Sequence, residues 1–216
     1  MSARGPNSHG PSTLGPNTHG PSTRAFVAVG ANVGPRRATI EWALRALDRA
    51  EGVRVVARSR LFTTEPVGGP VGQPRFLNGA FAVETTRTPH DLLALLLELE
   101  ARAGRVRSRA RTNGPRTLDL DLLAFGDRTV CDARLELPHP RMAERTFVLE
   151  PLATIAPDLV LTGAVGAGRT VAEQLARLRA KACGEDRGAD RGAAPERATP
   201  HPVPVSLRPV DAAPVA

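Results

Sequence analysis

Residues 117–125 read TLDLDLLAF, and this alternation of leucine with aspartate decides how the chain folds. Period-two alternation marks a strand lying on a core, so Leu118, Leu120 and Leu122 turn inward while Asp119 and Asp121 share the opposite side. Upstream, Thr88-Pro89-His90-Asp91 places a capping hydroxyl, a first-turn proline and an acid ahead of Leu92, Leu96, Leu99 and Ala103 on one helical face. That pattern predicts a helix. Before it, residues 76–85 alternate again and residues 53–63 are rich in β-branched side chains, which predicts two strands. Residues 25–31 (AFVAVGA) read as a buried strand, and Pro35 opens a helix with Ile40, Leu44 and Leu47 at helical spacing.

The order is therefore β-α-β-β-α-β, and the expected fold class is α+β: a ferredoxin-like antiparallel sheet with two helices over one face. A Pro-rich stretch at 137–157 and a helix near 170–180 are expected as C-terminal packing additions. Residues 5–13 (GPNSHGPST) and 15–23 (GPNTHGPST) form a ten-residue repeat with almost nothing to bury. Three regions follow: a disordered Gly/Pro tail at 1–24, one domain at 25–182, and a disordered Ala/Pro-rich tail at 183–216. His9 and His19 in the first tail are read as inert.

The chain carries 29 basic and 22 acidic residues, a net +7, yet Lys181 is its only lysine. Such an arginine-rich, Ala/Gly/Pro-rich composition would arise from G+C-rich coding alone, so the position of the charge carries the information and its amount does not. The longest Leu/Ala run, residues 92–97, is far short of the ~20 apolar residues of a membrane span. No apolar stretch follows Met1, and Cys131 and Cys183 give neither a disulfide framework nor a metal-ligand spacing. A cytoplasmic protein without membrane contact is expected.

Two adjacent carboxylates repel unless cations separate them, and hard oxygen ligands at this spacing suit Mg²⁺, which is commonly shared with substrate phosphates. A solvated strand face is the bland alternative. Residues 105–116 (RVRSRARTNGPR) hold five arginines, Arg105, Arg107, Arg109, Arg111 and Arg116, with no acid among them. The planar guanidinium fits phosphate oxygens, so this loop reads either as a polyphosphate clamp leading into a metal site or as a solvated or RNA-binding loop. His139, Arg141 and Arg145 lie further on. With no GxxxxGK[ST] loop and no GxGxxG after a strand, any nucleotide must be held by arginines and metal.

Taken together, GPRTLDLDLL (residues 114–123), FLN (76–78) and LPHPRMAERTFVLEPL (137–152) resemble the 6-hydroxymethyl-7,8-dihydropterin pyrophosphokinases of folate biosynthesis. The GANVG run, Thr64 with Pro66-Val67-Gly68, Gln73-Pro74 and Gly104-Arg105-Val106-Arg107 fall in the same order, so the resemblance spans about residues 25–160. It implies a ferredoxin-like α/β domain that transfers pyrophosphate from ATP to the hydroxymethyl group of the pterin and releases AMP. It further implies that Asp119 and Asp121 bind two Mg²⁺ ions, and that Arg105, Arg107, Arg116, His139 and Arg145 face ATP with Glu100 on the nucleotide side. Arg105 and Arg107 would share the catalytic role with the two aspartates.

Under the same resemblance Asn78 would hydrogen-bond the pterin edge, Phe76 and Phe147 would stack on its two faces, and Thr64 and Val67 would line the pocket largely through their backbone. Ala31 stands where a serine is common, and the equivalences of Arg109, Arg111 and Asn113 are left open by loop length. The expected partners are small molecules, with no nucleic acid, and the expected state is a monomer. Two rivals make different predictions: an RNA-gripping domain would expose aromatics on its central strands, and a Mg²⁺-dependent nucleotide hydrolase would need a water-activating group beside the aspartates.

Overall fold

The computed structural model of the chain describes residues 22–105, 114–162, 166–188 and 208–209. The tail expected at 1–24 falls almost wholly outside them, as does most of the expected tail at 183–216. Strand β1 (Thr23–Ala31) leads to helix α1 (Arg36–Asp48), then β2 (Val53–Arg58), β3 (Phe62–Thr64) and β4 (Phe76–Thr85). Helix α2 (Pro89–Arg102) and strand β5 (Asp119–Phe125) complete the expected order. The Thr88 hydroxyl accepts the Asp91 N–H, the capping bond that the sequence promised.

All pairings in the main sheet are antiparallel, in the order β5-β1-β4, with β4 partnered on its far side by β2 along one half and β3 along the other. Residues 53–63, expected as one strand, are thus two. The break sits at Ser59, whose N–H donates to the Ala80 carbonyl while its hydroxyl accepts the Ala80 N–H. A side chain replaces a ladder carbonyl there, and one extra residue is accommodated as a bulge.

One face of the sheet, carrying Val27, Val29, Leu118, Leu120 and Leu122, packs on Ile40, Leu44 and Leu47 of α1 and on Leu92, Leu96 and Leu99 of α2. Truncating any of the last three, each essentially inaccessible to solvent, to alanine is expected to cost about 2–5 kcal/mol. The opposite face carries Phe26, Ala28, Ala80, Ala82 and Leu123. It is covered by α3 (Thr146–Ala153) and α4 (Val171–Gly188), through Val148, Leu149, Leu152 and Leu175. The C-terminal additions are therefore a second helical layer. α4 starts in a capping box, Thr170 Oγ1 accepting the Glu173 N–H while the Glu173 carboxylate accepts the Thr170 N–H.

Helix α4 runs six residues beyond the expected domain end, and a two-residue strand β8 (Arg208–Pro209) pairs with β3. A small hairpin of β6 (Val130–Cys131) and β7 (Glu136–Leu137) follows β5, and a 3-10 turn at Met142–Glu144 precedes α3. No helix among the described residues is long and apolar enough to cross a membrane.

Candidate active site

Helices α3 and α4 do not cover the whole of their face. At the end of β1, β3, β4 and β5 they leave an open cleft of about 610 Å³, counting the solvent space at its mouth. Its floor follows from register: Gly30 of β1 lies between Asn78 of β4 and Asp119 of β5, and Ala28 is opposite Asp121. Small residues on β1 keep the floor open between polar neighbours. A Cβ built on Gly30 would lie 2.7 Å from Asn78 Oδ1, so the glycine is needed for the close approach of that carboxamide. Gly30→Ala is expected to displace Asn78 from Thr64 and to lower the melting temperature through the loss of that buried hydrogen bond, about 1–3 kcal/mol, as thermal unfolding would record.

Asn78 is buried, and its Nδ2 donates to the Thr64 hydroxyl at 2.7 Å. Thr64 thus meets Asn78 through its side chain. Phe76, at the start of β4, and Phe147, at the start of α3, both line the cleft, with the exposed Val67 between the β3 and β4 segments. The Arg116 and Arg145 guanidinium carbons lie 6.0 and 5.7 Å from the centres of these two rings. Both phenylalanines are part-buried and not sealed in the core, as residues waiting for a flat ligand would be.

The charged wall is built on β5. Asp119 is held by the guanidinium groups of Arg105 and Arg116, and Arg145 Nη1 lies 4.0 Å from Asp121 Oδ2. Burial, and then the Asp119 carboxylate, push the Asp121 carboxyl above its ordinary range. Glu100 sits behind this wall: fully buried near the end of α2, it binds Arg105 and accepts the Leu120 N–H of the edge strand at 2.8 Å. Glu100 thus contacts Arg105 from behind the wall and is not among the residues that line the cleft.

His139 lies beside Asp121. Its Nδ1 accepts the Arg141 N–H at 3.1 Å, which leaves the proton of the neutral ring on Nε2. Burial lowers its pKa against the opposing pull of Asp121, so the neutral form is favoured. Arg107, Arg109, Arg111 and Asn113 lie outside the described residues.

Sequence reasoning passed over Asn32. This buried residue accepts the Arg116 N–H at 2.7 Å and donates to the Pro74 carbonyl at 3.1 Å, while its own N–H meets the Arg116 carbonyl at 3.0 Å. It ties the β1–α1 turn to the β3–β4 loop and to the segment presenting Arg116. The only signal was an asparagine inside a Gly-rich turn. Glu65, paired with Arg75, also lines the cleft unforeseen, and so does Arg141, one of the charged residues that the sequence placed beyond the strand.

The donor set fits Mg²⁺. Among the described residues no cluster of three His, Cys, Asp or Glu could hold a metal by itself, so Asp119 and Asp121 would have to share their ion with other oxygens. Mg²⁺ is bound in this way, through one or two carboxylates, waters and substrate phosphates.

Cationic side chains and paired carboxylates gathered where a flat, aromatic-walled slot opens are the equipment of enzymes that move phosphoryl groups onto a planar acceptor. The family profile of the 7,8-dihydro-6-hydroxymethylpterin-pyrophosphokinases (HPPK) matches residues 26–157, and the chain belongs to this family. It is 47% identical over 155 residues to the 2-amino-4-hydroxy-6-hydroxymethyldihydropteridine pyrophosphokinase of Methylorubrum extorquens, covering 72% of this chain and 93% of that one. To the enzyme of the same name from Pseudomonas aeruginosa it is 46% identical over 153 residues, covering 71% and 90%. In three dimensions it resembles a Plasmodium falciparum HPPK-DHPS structure with a TM-score of 0.58 at 13% identity. That likeness covers 76% of this chain and spans only 45% of the Plasmodium chain, and it supports the fold.

Proposed function

We propose that the cleft carries out pyrophosphoryl transfer from ATP to the hydroxymethyl group of 6-hydroxymethyl-7,8-dihydropterin, releasing AMP, as a step of folate biosynthesis. The observation that carries this reading is the juxtaposition, on one sheet face, of the Asp119–Asp121 pair with its arginines and of the Asn78–Thr64 pair between Phe76 and Phe147. One half is built for polyphosphate and the other for a flat heterocycle with a polar edge. The central-strand aromatics Phe26 and Phe81 are buried, and Phe76 at the start of β4 opens into the cleft, an arrangement that favours a small flat ligand over RNA.

In this reading Asn78 and Thr64 fix the pterin edge, and the two rings hold its plane so that the hydroxymethyl oxygen points at the β-phosphorus. That oxygen forms a bond to β-phosphorus and gives up its proton to solvent water, while the bond from β-phosphorus to the α–β bridging oxygen breaks and AMP departs with that oxygen. Asp119 and Asp121 would hold two Mg²⁺ ions, which neutralise and align the triphosphate. Arg105, Arg116 and Arg145 balance the negative charge that moves toward AMP, and His139 offers its Nε2–H as a hydrogen-bond donor. No protein nucleophile is required. Arg107 belongs to the same group of cations by its place in the sequence. The enzyme acts as a monomer in the cytoplasm, and the exposed Cys131 thiol fits a reducing compartment.

Asn78→Ala tests the division of the cleft. Leaving a buried polar edge unpaired costs about 1–3 kcal/mol, so pterin binding should weaken about five- to 150-fold with ATP affinity within twofold of wild type. Calorimetry that showed the reverse order would reject the site map.

A further inference from the structure

Among the described residues, one arginine of the cleft, Arg141, has no carboxylate partner. Three arginines line the cleft: Arg116 is held by Asp119, Arg145 stands 4.0 Å from Asp121, and Arg141 has no carboxylate within 4.0 Å among the described residues. An exposed arginine is ordinarily just solvated, but three features set this one apart.

Its backbone is pinned at the cleft rim. The N–H donates to His139 Nδ1, and the next two residues, Met142 and Ala143, are buried in the 3-10 turn. The stem of Arg141 therefore starts from a fixed point beside Asp121, and the residue lines the cleft. Like charge is also crowded around it. Arg116 and Arg145 line the same cleft, and a concave site lined by like cations attracts an anion. Finally, it needs no rearrangement to act. Arg105 and Arg116 must let go of Asp119 before they can grip phosphate, whereas Arg141 makes no ion pair among the described residues.

We propose that Arg141 is a further phosphate-binding residue of this site, meeting the triphosphate from the His139 side, opposite the Arg105–Arg116 side of the aspartate pair. This rests on the reading of the cleft as the ATP site. Arg141 makes the first ionic contact with the incoming triphosphate, and its planar fork can hold two phosphate oxygens at once. The backbone bond to His139 survives any side-chain substitution, so the side chain can be tested without disturbing the imidazole.

The test is calorimetry on wild type, Arg141→Ala and Arg141→Lys, titrated separately with α,β-methylene-ATP, whose scissile link is blocked, with AMP and with the pterin, all in Mg²⁺. Arg141→Ala should weaken the ATP analogue about tenfold, leave AMP and pterin within twofold, and leave melting temperature unchanged; Arg141→Lys should recover part of the loss. Unchanged affinity for the ATP analogue in Arg141→Ala, with wild type binding it normally, overturns the assignment of Arg141 alone. Equal losses for all three ligands would mean a structural role and overturn it as well. Failure of wild type to bind the analogue overturns the reading of the cleft itself.

Discussion

Asp119→Ala and Asp121→Ala are each expected to lower turnover by more than about 10³-fold while the protein remains folded. Each carboxylate faces the cleft and is part-exposed, so its removal opens no cavity, whereas the core on the far side of β5 rests on Leu118, Leu120 and Leu122. What is lost is half of the proposed Mg²⁺ ligand set, and with it several kcal/mol of charge neutralisation along the triphosphate. Activity within about tenfold of wild type, roughly 1.4 kcal/mol of barrier, would remove the aspartates from the mechanism.

Stability should move the other way. The Asp121 carboxyl is pushed up in the folded protein, so without metal the folded state binds a proton more readily than the unfolded chain does. Stability of the metal-free protein therefore rises as pH falls from neutrality through the raised value toward the ordinary carboxylate range. Asp121→Asn should melt higher than wild type at neutral pH without metal, with an advantage that shrinks in acid. Thermal unfolding across pH in chelator measures this directly, and an advantage that grew in acid would contradict the electrostatics.

The second large effect belongs to the arginines on Asp119. Arg105→Ala and Arg116→Ala should each lower kcat about 10²–10³-fold, the usual cost of losing one preorganised group that faces developing charge. In the resting protein both guanidinium groups are engaged with Asp119, so their contact with substrate comes at the expense of that pairing. Their net contribution to ground-state binding is accordingly small, and it grows as charge shifts toward the departing AMP. Substrate dissociation constants should stay within a few-fold. Arg116→Ala keeps the backbone bonds to Asn32, so its loss reports the guanidinium and not the loop. Lysine at either position should recover little, because a point charge cannot span two oxygens. Single-turnover rates beside calorimetric affinities separate the two effects, and an arginine change that weakened ATP binding without slowing the chemical step would refute this division.

How much of this was written in the sequence depends on whether local or distant contacts decide each element. Strand β5 was legible because period-two patterning is a local property, and α2 because Thr88, Pro89 and Asp91 signal its start within four residues. Helix α3 was not legible. It has only eight residues, contains Pro151 and has no side-chain cap, and it forms because Val148, Leu149 and Leu152 cover Phe26, Ala28 and Leu123 from strands far away in sequence. The β2–β3 break depended on Ser59 meeting Ala80, again a distant contact.

The site divides in the same way. Asp119 and Asp121 announce themselves by spacing, and the pterin-side residues were reached through motif resemblance. Gly30 and Asn32, by contrast, gain their meaning only when β1 is placed between Asn78 and Asp119. Glu100 was placed on the nucleotide side by the resemblance alone, and its contacts with Arg105 and with the Leu120 N–H become visible only once α2 and β5 are packed together.

The most direct test of the central claim is the identity of the products. Purified protein with Mg²⁺, ATP labelled separately at the β- and γ-phosphorus, and 6-hydroxymethyl-7,8-dihydropterin should yield AMP and a pterin ester carrying both labels, with no turnover in chelator. Formation of ADP with a singly labelled pterin, or ATP consumption that proceeds equally without the pterin, would contradict it.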